Sequence, residues 1–104
     1  MAWLLLFVAG VLEVVWAYTM KLSQGFTRPA ASIITLTAMI ASFALLSYSM
    51  RTLPLGTAYT VWTGIGAVGA FLVGITALGE PVNATRIIAA MLILSGIVLM
   101  KASS

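Results

Sequence analysis

One carboxylate in this chain stands where a carboxylate is expensive. The stretch Gly10-Val11-Leu12-Glu13-Val14-Val15-Trp16 lies within an apolar run from Met1 to Ala17, and no other charged side chain follows until Lys21. About 20 apolar residues cross the hydrocarbon core of a bilayer, so Glu13 falls near its midplane. A charge there costs roughly 2.5 kcal/mol or more even on mild insertion scales, and such groups usually face water, a partner or a substrate. The chemistry open to Glu13 is therefore binding a proton or a cation. The alternative is a structural group hydrogen-bonded to a neighbouring helix.

Few other residues can share that chemistry. Ser42 lies near the middle of a second apolar segment, where it can reach a carboxylate on an adjacent helix. The other hydroxyls of that segment, Ser32, Thr35, Thr37, Ser47 and Ser49, can be absorbed by bonding to a carbonyl one turn back and carry little signal. Tyr59 and Trp62, three residues apart, share a helix face with Gly66. The indoles of Trp16 and Trp62 only donate, whereas the hydroxyls of Tyr59 and Ser42 both donate and accept. Helix packing or interfacial anchoring is the competing role for these aromatics. Glu80, the only other acid, sits in Gly79-Glu80-Pro81-Val82-Asn83 and is expected to be a solvated loop charge.

Of the 104 residues, 62% are hydrophobic and only 7% are charged. Soluble domains carry charge on about a quarter of their residues, so this is an integral membrane protein. Its length allows four helices, at about 2–20, 30–50, 57–78 and 85–100, in a single membrane domain. That leaves no room for a soluble nucleotide-binding or catalytic domain, and the function class is transport rather than enzymatic. The first span lacks a basic leader and contains Glu13, which marks it as a retained helix and not a signal peptide. With no cysteine and no histidine, disulfides, thiol nucleophiles and most transition-metal sites are excluded, and neither metal nor cofactor is expected. Lys21, Arg28, Arg51, Arg86 and Lys101 are too scattered for a nucleic-acid surface and read as helix-end anchors.

The third segment repeats small residues at Gly66, Ala70 and Gly74, a stripe that lets another backbone approach closely. Gly64-Ile65-Gly66 adds a plausible point of bending. The fourth segment has Ser95-Gly96 as its only small pair and is assigned to packing or assembly by elimination. The two halves show no repeat, although transporters commonly build two access states from inverted repeats. With four spans, Arg51 and Lys101 share one membrane face while Lys21, Arg28 and Arg86 share the other. The terminal amine nearly evens this balance, so the positive-inside rule gives almost no instruction. A chain that inserts both ways can supply inverted symmetry as an antiparallel pair.

These residues resemble a known family. Four short spans, a lone glutamate in the first, and Tyr59 and Trp62 ahead of Gly64-Ile65-Gly66 in the third are similar to the small multidrug resistance transporters over essentially the whole chain. Gly10-x-x-Glu13-x-x-Trp16, then Lys21, the Gly25-Phe26-Thr27-Arg28 loop and the run from Pro54 to Gly66, resemble the guanidinium exporter subtype. Drug-exporting relatives typically lack a tryptophan one turn after the glutamate, so Trp16 decides the subtype. The resemblance implies an all-α protomer of four transmembrane helices forming an antiparallel, dual-topology homodimer in the bacterial inner membrane. It implies exchange of guanidinium or small guanidinyl cations for protons. By the same resemblance, Glu13 of each subunit binds proton or cation, Trp16 and Ser42 hydrogen-bond around the carboxylate, Tyr59 and Trp62 line the pocket, and Gly10 keeps it open. Gly64 and Gly66 are then the bend of the third helix, and Leu94, Ser95 and Gly96 belong to the dimerisation helix.

The implied chemistry is coherent. Two facing carboxylates titrate as a coupled pair, with burial and like charge opposing double ionisation. Guanidinium is planar, always charged, and presents parallel N–H donors that fit a carboxylate edge. The nearest rival is export of larger quaternary ammonium drugs by the same architecture. A proton-carrying rotor subunit and a purely structural assembly partner are more distant, since rotor subunits are typically two-helix hairpins.

Overall fold

The computed structural model describes residues 1–103, and within them the chain forms four α-helices. These are α1 (Ala2–Leu22), α2 (Pro29–Ser49), α3 (Leu55–Ala77) and α4 (Ala84–Ala102). At 1.5 Å per residue each is about 30 Å long, matching the hydrocarbon core. All four are long and apolar enough to cross a membrane. Helices are the form such segments must take, because lipid offers no partner for backbone N–H and C=O groups.

Local chemistry sets the helix ends. Pro29 occupies the first helical position of α2, where its missing N–H has no consequence. The side chain of Asn83 accepts the Arg86 N–H at 2.9 Å and caps α4. Between α1 and α2 the chain reverses through Gln24, Gly25 and Phe26, all left-handed with φ of 50°, 74° and 67°. For the two non-glycine residues this is strained by about 1–2 kcal/mol each. Fully buried Ser23 holds the turn, its hydroxyl donating to the Met20 carbonyl at 2.7 Å and accepting the Phe26 N–H at 3.0 Å.

Helix α1 is central, packed along α2 on one side and against α3 on the other, while α4 approaches only α3 closely along its backbone. The result is a slab of 41 × 34 × 16 Å. Its core is Leu6 and Ala9 of α1, Leu46 of α2, and Ala58, Val61 and Trp62 of α3. Toward the opposite end the Thr19 and Thr35 hydroxyls meet at 2.6 Å, with Thr35 fully buried, and tie α1 to α2. Helix α4 buries no residue. The outer surface carries exposed side chains such as Ile33, Ile40, Leu72 and Leu92, as lipid contact requires.

Candidate functional site

Glu13 sits at the middle of α1 and faces α3 at Gly66. A Cβ built on Gly66 would overlap the Glu13 carboxyl and lie 2.7 Å from its Cγ, so glycine here lets the acid hold this position. The carboxyl Oε1 is buried with no hydrogen-bond partner, and so is the indole Nε1 of Trp16, one helical turn further along α1. A buried polar atom without a partner forfeits about 1–3 kcal/mol. An orphaned acceptor and an orphaned donor therefore stand on one face of one helix.

Around them the three packed helices are joined by a short relay. Trp62 of α3 donates its indole N–H to the Ser42 hydroxyl of α2 at 3.0 Å, and Ser42 donates in turn to the Ala9 carbonyl of α1 at 2.7 Å. Ser42 is completely buried. Its proton is thus directed to Ala9, and in this protomer neither Ser42 nor Trp16 bonds the Glu13 carboxyl. The relay instead fixes the Trp62 ring beside the site. From there a row of rings runs across the protomer. Trp16 meets Phe43 edge-on at 6.2 Å, Phe43 tilts against Trp62 at 5.7 Å, and Trp62 tilts against Tyr59 at 5.7 Å. Tyr59, near the start of α3, is about half exposed. Sequence reasoning passed over Phe43, which joins the two tryptophans. Its only signal was its place next to Ser42.

The architecture and this geometry meet in the family comparison. The family model described as Small Multidrug Resistance protein matches residues 1–93. The chain belongs to the small multidrug resistance family. It is 56% identical to the guanidinium exporter of Citrobacter freundii, over the whole of this chain and 99% of the relative. It is equally identical to the guanidinium exporter of Yersinia pseudotuberculosis serotype I (strain IP32953), over the whole of both chains. The guanidinium exporter of Salmonella typhi is 54% identical over all of this chain and 99% of its own length. As a member of this family the chain is a multi-pass membrane transporter.

For this small multidrug resistance protein the structure distributes the glycines in a definite way. Gly10 is buried against Ile65, whose Cβ would stand 2.7 Å from an added methyl, so it serves the close approach of α1 and α3. The glycine lying directly against the carboxyl is Gly66. Gly64 faces α4, where Ile97 Cγ1 would be 3.0 Å from an added Cβ. The α3 helix runs through Gly64 and Gly66 without interruption. On α4, Leu94, Ser95 and Gly96 are exposed, and Gly96 borders an open groove beside Tyr59 and Gly64 of α3. Ser95 satisfies its hydroxyl on the Met91 carbonyl at 2.8 Å, and nothing lies within 4 Å of a Cβ at Gly96.

Proposed function

We propose that this transporter exports guanidinium in exchange for protons, acting as an antiparallel homodimer in the bacterial inner membrane. The observation that carries the reading is the pair of orphaned atoms, Glu13 Oε1 and Trp16 Nε1, on one face of α1. A carboxylate edge takes the parallel N–H donors of guanidinium bidentately. A single indole donor can hold the carboxylate rotamer without competing for the cation. The faces of Trp16, Phe43 and Trp62 add cation–π attraction of about 0.5–2 kcal/mol. Full-length identity to proteins named guanidinium exporters supports the substrate class.

Glu13 Oε1 and Trp16 Nε1 find no partner among the described residues of the protomer, which favours a second copy supplying the other wall. The free face of α4 at Leu94, Ser95 and Gly96 is the part we assign to that contact. Each Glu13 then binds either a proton or the cation. If the empty, doubly charged site does not reorient, each half of the cycle needs a cargo, and exchange follows. In an antiparallel dimer the two access states differ by exchange of the subunits' roles, so they are nearly equal in energy. Gly64 and Gly66 are the positions at which we place the bend of α3.

Solid-supported membrane currents from the purified protein test the reading. Guanidinium and small substituted guanidines should give large currents and a bulky aromatic quaternary ammonium ion small ones. The reverse order would assign the protein to drug export, and no current with any cation would refute transport by the chain alone.

A further inference from the structure

We propose that Glu80 forms a second cation station at the membrane surface, through which a guanidinium-class cation passes on its way to or from Glu13. This rests on the guanidinium reading above. Glu13 and Glu80, the two acids of the chain, each lie against a glycine of the same helix. Glu13 lies on Gly66, and Glu80 lies on Gly74, where an added Cβ would overlap its carboxyl. Eight residues separate the two glycines, about 12 Å along α3.

A cavity of about 320 Å³ is lined by Gly74 and Glu80 and extends along α3 as far as Ala67. Its α1 wall is Val14, Ala17, Tyr18 and Lys21, a single helical face. Two of its lining residues, Val14 and Ala67, directly follow Glu13 and Gly66 in sequence, and Lys21, Glu80 and Arg86 are at its other end. The cavity thus reaches from the ends of the helices to the depth of the buried carboxyl, with Glu13 and Gly66 themselves outside its lining. The loop is turned back to form it. Gly79 is left-handed with φ 67°, and the Glu80 N–H donates to the Gly74 carbonyl at 2.9 Å.

The end of α3 does not account for an acid in this position. The C-terminal end of α3 carries the partial negative charge of its unpaired carbonyls, which disfavours a carboxylate and attracts a cation. Lys21 and Arg86 line the same cavity, yet neither forms an ion pair with Glu80 among the described residues. No fixed cation of the described residues is in contact with the carboxylate, which is open to a mobile one. The two fixed cations keep that cation weakly held, as transit requires, since a station must be favourable enough to enter and weak enough to leave. In an antiparallel dimer one such mouth opens at each membrane surface.

The test compares wild-type, Glu80→Gln, Glu80→Asp and Glu13→Gln proteins reconstituted in liposomes, measuring initial guanidinium uptake against concentration at low and high salt. At subsaturating guanidinium and low salt, Glu80→Gln should be slower by roughly tenfold, the lower end of electrostatic steering effects. The deficit should shrink as salt shortens the Debye length. Saturating rates should approach wild type, and Glu80→Asp should recover most of the loss. Wild-type kinetics in Glu80→Gln at low salt would overturn the station. A deficit equal at all salt and guanidinium concentrations, unrelieved by aspartate, would also overturn it by assigning Glu80 to packing. Failure of this idea alone leaves wild-type uptake intact and dependent on Glu13. Failure of the guanidinium reading removes wild-type uptake itself and takes the station with it.

Discussion

Replacing Gly66 with alanine puts a methyl group where the Glu13 carboxyl now lies. The added Cβ would be 2.7 Å from Glu13 Cγ, whereas carbon atoms rest at about 3.5–4.0 Å, so Glu13 must recede by about 1 Å and its carboxyl by more. A glutamate end is flexible, and it will rotate before two helices part. The fold should therefore absorb the change. Alanine gains about 0.8–1 kcal/mol in helix propensity over glycine, against about 1–3 kcal/mol of overpacking. Net stability should move by no more than about 2 kcal/mol. Recognition should suffer more, because a misplacement of about 1 Å can cost a site up to about 100-fold. We expect guanidinium affinity to fall about 10- to 100-fold, which is about 1.4–2.7 kcal/mol. Calorimetric titration of the detergent-purified variant, beside its thermal unfolding curve, separates the two effects. Gly69→Ala is the matched control. Its Cβ would press on Val14, a stiff β-branched side chain that cannot swing aside, so stability should drop by about 1–3 kcal/mol with affinity nearly kept. A folded Gly66→Ala protein that binds guanidinium as tightly as wild type would refute the reasoning.

Ser42→Ala removes the acceptor of the buried Trp62 N–H, and unfolding in detergent should show a loss of about 1–3 kcal/mol. Unchanged stability would mean the relay carries no weight. Gly96→Cys tests the assembly, because the position faces open space on α4. Oxidation of the membrane-embedded variant should give a covalent dimer on a denaturing gel, and a purely monomeric product would remove the α4 contact from the account.

The sequence made some of this plain and hid the rest for identifiable reasons. Glu13 was visible because a lone carboxylate in an apolar run has no inexpensive explanation. Four helices followed from composition and length alone. What a glycine does depends on the side chain opposite it, which sequence spacing on one helix does not disclose. Gly10 lies against Ile65 and Gly66 against the carboxyl, although Gly10 is the one on Glu13's own helix. Phe43 gave no signal because an aromatic ring among aliphatic residues looks like any lipid-facing side chain, and its two tryptophan contacts come from different helices. Thr35 was set aside with the back-bonding hydroxyls, and it does donate to the Ala31 carbonyl, but its burial against Thr19 adds a tie between helices. Glu80 is exposed as a loop charge should be, while its seat on Gly74 arises from a turn back onto α3.

The central claim is that proton and guanidinium compete for the Glu13 carboxyl. Its most direct test is the proton released when guanidinium is added to the purified protein in weak buffer, wild type beside Glu13→Gln. The wild type should release protons in proportion to guanidinium bound, and Glu13→Gln should release none. Release by Glu13→Gln equal to that of the wild type would contradict the account.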